Sequence, residues 1–274
     1  MSAEAQPGVR PEAAGGRAVR FRGGGFQPQR VPSAGWLGFA ALLALWQGAL
    51  GSGLLDPVFL PSPAAVVLAL RDLILSGELF RHLAASLGRI AGGWMLGTLA
   101  GLAIGGAMGL SSLARSLGVP LISAFFPIPK IALLPLMILW FGIGEPSKIA
   151  TIGLGVFFPT AIATYSSMDG VPRNLIRMAQ SFDVPPVAIV FKVVLPGALP
   201  GILAGMRISA SIALLLLVAA EMIGAQTGIG VLVLTAGNLM QTDRLIAGVA
   251  VLSVLGLAIG TCISACERRL LRWR

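Results

Sequence analysis

The sequence predicts an all-α protein that crosses a membrane several times. Three observations predict it. Of 274 residues, 56% are hydrophobic and 11% are charged, where soluble chains carry roughly 25% charged residues. Mean hydropathy is +0.88. Several apolar runs approach or exceed the roughly 20 residues that a helix needs to cross a bilayer.

Residues 1–33 lie outside that pattern. They are rich in Gly, Ala and Pro, with Arg10, Arg17, Arg20, Arg22 and Arg30 against Glu4 and Glu12, and show no apolar periodicity. A disordered cationic tail is expected. About thirty polar residues precede the first apolar run, which argues against a secretory signal. No aromatics interleave the arginines, so membrane topology explains the charge better than nucleic acid does. From residue 34 onward one membrane domain is expected.

Its spans fall at about 36–55, 90–110, 119–141, 148–168, 202–223 and 245–266. Between the first two, Ser62 is placed to cap a non-spanning helix, with Pro63 at its first position. Val66, Leu70, Leu73 and Ile74 recur there at helical spacing among Arg71, Asp72 and Glu78. Such a helix lies along the membrane surface. Small residues between Gly101 and Gly109 allow close helix packing.

Counting Lys and Arg beside the spans sets the orientation. With the N-terminus inside, the inner segments hold the tail arginines, Arg115, Arg173, Arg177, Lys192, Arg268, Arg269, Arg272 and Arg274. The outer ones hold Arg71, Arg81, Arg89, Lys148 and Arg244, largely offset by Asp56, Asp72, Glu78, Glu145 and Asp243. Both termini are expected in the cytoplasm, and so is a polar interruption from Val171 to Pro200.

That interruption reads VPRNLIRMAQSFDVPPVAIVFKVVLPGALP. Leu175, Met178, Ala179 and Phe182 predict one apolar stripe on a short helix. Asp183 follows, a residue type that tolerates left-handed backbone. Pro185 and Pro186 open a second helix, Val187 to Val194, which Leu195 and Pro196 are expected to end. Prolines at each joint make a stiff element suited to carrying force.

Few groups bear other chemistry. Glu221 lies inside the fifth run and Lys130 inside the third, and intramembrane charges face a partner or a water-filled path. Glu221 is read as a structural or gating residue, and Lys130 as beside a proline kink that flanks a cavity. Arg89 and Arg207 are expected to snorkel. His82 is the only histidine and the two cysteines share one apolar run, so a His-based metal site from this chain alone is excluded and no cofactor is expected. No Walker A motif is present.

The interruption resembles the cytoplasmic signature of ABC importer permeases: a Glu-Ala-Ala triplet, a Gly four residues on, then Ile-x-Leu-Pro. Aligned on Leu195 and Pro196, the triplet falls on Arg177, Met178 and Ala179, the glycine on Asp183 and the isoleucine on Val193. Arginine stands for the glutamate and aspartate for the glycine. LPSPAAVVLAL, SLGRIAGG, IPKIALLPLMILWFGIGEPSKI, LPGALPGILAGMRI and VAAEMIGAQTGIG are similar to the branch serving nitrate, taurine and aliphatic sulfonates, so the likeness spans most of the chain. The resemblance implies the type I importer permease fold in a bacterial inner membrane, with no catalysis in this chain. It also implies a second permease subunit, a pair of cytoplasmic ATP-binding subunits on the coupling loop, and an external solute-binding protein. The alternative class is a secondary transporter driven by an ion gradient, which needs midplane carboxylates and an internal repeat. Only Glu221 qualifies as such a carboxylate.

Overall fold

The computed structural model describes residues 32–272 apart from 54, 55 and 57, so the predicted tail lies almost wholly outside the described residues. The described residues form helices α1 (Pro32–Gly51), α2 (Pro63–Leu75), α3 (Glu78–Leu110), α4 (Ser112–Phe125), α5 (Leu134–Phe141) and α6 (Glu145–Asp169). They continue with α7 (Arg173–Ser181), α8 (Pro186–Ile189), α9 (Leu195–Gly224), α10 (Ile229–Asn238) and α11 (Thr242–Leu270). Among them α3, α6, the continuous helix Pro186–Gly224 and α11 are long and apolar enough to cross a membrane. A fifth crossing is available if α4 and α5 together make one.

The predicted first span stops early, because the chain turns at Ser52 and Gly53 (φ +72°). Trp46 joins α1 to the bundle, its indole N–H donating to the Pro61 carbonyl at 3.1 Å. The predicted short helix before the second span is present, and Ser62 caps it by accepting from the Ala65 N–H at 3.2 Å. Its buried face is Val66, Ala69 and Leu73, whereas Ile74 is exposed. That face is rotated slightly from the predicted stripe.

Two further predicted spans needed correction. The second begins at Glu78, twelve residues before the predicted Ile90. The polar residues in that stretch suggested a loop, but His82, Ser86 and Arg89 share one helix face and are buried together. The third is not one helix: α4 and the stretch Lys130–Phe141 meet at 89°. Pro127 and Pro129 cannot donate, which strands carbonyls at the end of α4. Lys130 Nζ donates to three carbonyls around the bend, on Phe125, Phe126 and Ile128, at 2.6–2.9 Å.

The second loop helix does not end at Leu195 and Pro196 either. It runs on into α9 through a π-turn at Val190–Val194, where the Leu195 N–H reaches back to the Val190 carbonyl. The extra residue lets the helix pass Pro196 without ending, since a π-bulge shifts the hydrogen-bond register just where a proline withholds its donor. Short α10 was not foreseen in the sequence. Its glycine-bounded apolar run is too short to signal a span.

The centre of the bundle is α6, with α3 on one side and α9 on the other. Gly93, Gly97, Gly101, Gly105 and Gly109 place a bare backbone every fourth residue of α3 against α6. A Cβ at Gly97 would overlap the Gly153 carbonyl and lie 2.8 Å from Val156 Cβ, while one at Gly105 would lie 2.8 Å from Thr164 Cβ. Helices in lipid gain stability from such close packing, because burying apolar surface gives no advantage over lipid tails. Gly106, by contrast, faces open space.

The two positions make a paired prediction. Gly97→Ala lowers the stability of the purified protein by about 1–3 kcal/mol through overpacking. Gly106→Ala leaves it unchanged or slightly higher. Thermal unfolding in one detergent compares them.

Candidate functional site

Chemistry-bearing residues gather at opposite ends of the bundle. At one end the chain leaves α6 through Val171, which is buried, and enters α7. Ile176, Ala179 and Val184 pack onto Met168, Val171, Ile189, Val194, Ala198 and Ile202. The predicted stripe therefore divides. Ala179 packs inward, while Leu175, Met178 and Phe182 project outward with exposures of 42%, 55% and 76%. Ile176 takes the inner place because Val171 pins that side of the helix to the bundle.

Arg173 and Arg177 are exposed on the same short helix, and Lys192 is exposed nearby. Leu195 and Pro196 are half-buried where the π-turn becomes α9.

Asp183 ends α7 in the left-handed conformation, φ +55°. The Asp183 N–H donates to the Gln180 carbonyl at 3.0 Å, and the Val184 N–H to the Ala179 carbonyl at 3.2 Å. Those two bonds make a Schellman terminus, whose left-handed residue is usually glycine. Aspartate does the glycine's work here at modest cost.

At the other end, Arg89 of α3 is 2% exposed. Its Nε and Nη2 donate to the two oxygens of Glu145, at 2.6 and 2.7 Å. Its Nη1 donates to Glu221 Oε1 at 2.7 Å and to the Thr227 carbonyl. Glu221 is 1% exposed. It also accepts from Ser86 Oγ at 2.7 Å and from the Gly230 N–H at 2.8 Å. That N–H belongs to the first turn of α10, where unbonded amides and the helix dipole favour an anion.

The loop from Thr227 to Gly230 closes over this group. A Cβ at Gly228 (φ +138°) would collide with the Glu221 carboxyl, and one at Gly230 would lie 2.8 Å from the Val218 carbonyl. Ser86 Oγ accepts from the Ile229 N–H at 2.9 Å. His82 Nδ1 lies 3.0 Å from the Gly228 nitrogen and 2.7 Å from its oxygen, so either tautomer finds a partner. The expected snorkelling of Arg89 is thus corrected: three side-chain or backbone acceptors hold it inside. Arg207 is paired too, donating to Glu267.

Glu221 and Lys130 both have partners. Every Glu221 oxygen is bonded to a fixed donor, and Lys130 is spent on the carbonyls of the α4 bend, its ammonium 4.5 Å above the Phe158 ring. Arg89, Glu145 and Ser86 were missed as site residues. The signal was present, because His82, Ser86 and Arg89 stand at i, i+4 and i+7, and the lone carboxylate of the fifth run needs a base.

Residues 95–272 match the family described as binding-protein-dependent transport system inner membrane component. The chain belongs to this family. A putative aliphatic sulfonates transport permease protein of Bacillus subtilis (strain 168) is 40% identical over 235 residues, 86% of this chain and 85% of that one. The taurine transport system permease protein of Escherichia coli (strain K12) is 39% identical over 239 residues, 85% and 87% of the two chains. Among solved structures, an inward-facing form of the MetNI methionine ABC transporter superposes with a TM-score of 0.62 at 21% identity. It covers 72% of this chain and 97% of that one. An amino acid ABC transporter gives 0.56 at 17% identity, over 73% and 97%. The helical fold is that of type I ABC importer permeases. As a family member the chain is a transmembrane permease subunit of an ABC importer, in the plasma membrane.

Breaking one side of a buried ion pair leaves an uncompensated charge and costs about 3–5 kcal/mol. Arg89→Met and Glu221→Gln each lower stability toward that range, and the double variant loses less than the sum of the two. Equilibrium unfolding of the four proteins in detergent measures the coupling.

Proposed function

We propose that this permease imports a small sulfonate or a related organic anion, driven by a separate ATPase that docks on α7. The outward face of Leu175, Met178 and Phe182 supports the docking reading. Exposed apolar residues on a stiff, water-facing element are costly unless another protein covers them. The charge balance puts α7, α8 and both termini in the cytoplasm. Arg89, Glu145 and Glu221 then lie toward the outer surface, where an external binding protein delivers solute.

Two copies of the chain form the pathway at their interface. ATP binding draws the ATPases together, and α7 and α8 carry that displacement into the spans. The domain boundaries follow: a cationic cytoplasmic tail over residues 1–33, then the permease domain, with the coupling loop at 171–200. Glu221 and Lys130 serve as structural pins in this reading, not as solute ligands. The substrate class rests on the two relatives named for aliphatic sulfonates and taurine.

Arg177 gives the docking contact a sign. An arginine there suits a partner groove with an acidic rim, and oppositely charged complementarity sets partner choice.

Proteoliposomes holding the permease, its cognate ATPase and its binding protein take up labelled taurine or alkanesulfonate only with ATP inside the docking compartment. Uptake by the permease alone, driven by an ion gradient, overturns the reading. Met178→Asp with Phe182→Asp abolishes ATP-driven uptake and releases the ATPase on size exclusion, with stability changed by no more than about 0.5 kcal/mol. Arg177→Glu lowers uptake about tenfold, equal to about 1.4 kcal/mol of docking energy.

A further inference from the structure

A cleft of about 250 Å³ lies between α2, the start of α3, α10 and the start of α11. It is at the same end of the bundle as Arg89, yet none of the Arg89–Glu145–Glu221 residues lines it. Its polar lining comprises Glu78, Arg81, His82, Gln226, Gln241 and Arg244, with Thr235. The volume is below the range of about 300–1,000 Å³ usual for drug-sized ligands and suits only a small solute, and a few convergent polar groups on an apolar floor are what such sites present.

The charges in the cleft are unusual for this end of the molecule. Arg71 has Asp72 at 3.1 Å, and Arg89 has Glu145 at 2.6 Å. Arg81 has no carboxylate within ion-pair distance among the described residues. The carboxylate nearest to Arg244 is that of Glu78 at 3.9 Å, beyond hydrogen-bond reach. Arg81, with no ion-pair partner among the described residues, and Arg244, held only by this long pair to Glu78, thus line one small cleft. A guanidinium fork matches the geometry of an oxyanion.

His82 supplies an independent observation. Its side chain is 7% exposed. Nδ1 is engaged by Gly228, while Nε2 has no hydrogen bond and faces Glu78 at 3.9 Å, on the cleft side. Nε2 is therefore open to an occupant of the cleft, and through Nδ1 that occupant would bear on the loop that closes over Glu221.

We propose that this cleft binds a small organic oxyanion, a sulfonate in the reading above, on Arg81 and Arg244 as it enters from the binding protein. The proposal rests on the importer reading for the identity of the solute. Glu78 adds an acceptor for an ammonium group, so an amino sulfonate binds more tightly than a simple alkanesulfonate. A phospholipid phosphate has the same oxyanion chemistry and could reach the cleft from the bilayer.

The full-length permease in nanodiscs of phosphatidylcholine, without binding protein, is titrated with taurine and with methanesulfonate by saturation-transfer NMR. Saturable binding is expected, weakened tenfold or more in Arg81→Gln with Arg244→Gln, and absent for the uncharged dimethyl sulfone. Glu78→Gln is expected to weaken taurine more than methanesulfonate. The thermal midpoint and monodispersity of each variant report whether it has folded. No saturable sulfonate binding by the wild type overturns the site, as does binding that the arginine pair does not change. Phosphatidylglycerol nanodiscs form the other arm. If that lipid protects Arg81 and Arg244 while sulfonate does not bind, the cleft is a headgroup site and the solute proposal fails. ATP-driven uptake by the wild-type complex separates the two readings: uptake without binding here sinks the cleft and spares the importer.

Discussion

Arg89 is the charge around which the geometry at its end of the bundle is organised. An arginine cannot shed its proton, so its site must supply acceptors for the guanidinium wherever the fold buries it. Glu145 from the start of α6, Glu221 near the end of α9 and the Thr227 carbonyl supply them. Three helices that are distant in sequence are thereby held at one level. The same carboxylate of Glu221 takes the Gly230 amide and so positions α10. Ser86 and His82 complete the set by binding the loop that leads into it.

That arrangement requires backbones to come close, and glycine permits it. Five glycines spaced by four along α3 bring its backbone onto α6. Gly228 and Gly230 do the same for the closing loop, where any side chain would strike the Glu221 carboxyl. Polar satisfaction at one end and steric access along the shared face are two parts of a single packing solution. An apolar interior offers no water to correct errors in either.

Much of this was legible in the sequence. Hydropathy gave the class and most span positions, Ser62 and Pro63 gave the start of α2, and the interruption after Met168 gave the short helices α7 and α8. The left-handed Asp183 was also readable from residue type alone. What escaped was decided by partners far along the chain. The first turns of α3 looked polar, because the spacing of His82, Ser86 and Arg89 puts them on one face without naming the buried partners, which lie more than 130 residues away. The stripe read for α7 left out Ile176, because Leu175 and Ile176 are equally apolar and only Val171 selects which of them packs inward. Pro196 looked like a stop, since sequence does not show a π-turn absorbing it. Lys130 looked like an intramembrane charge seeking a pathway, when its partners are carbonyls within five residues.

The continuous helix from Pro186 to Gly224 has a mechanical consequence. Its 39 residues rise about 1.5 Å each, making a rod about 58 Å long. Its proximal end includes the π-turn, and Glu221 is near its distal end, about 47 Å from Val190 by the same rise. A pivot of about 5° at the π-turn would carry Glu221 sideways by about 4 Å over that arm. Hydrogen bonds of 2.7 Å do not survive such a displacement. The rod therefore acts as a lever whose far tip is clasped, so a small tilt at one surface must either bend the shaft or release the clasp at the other.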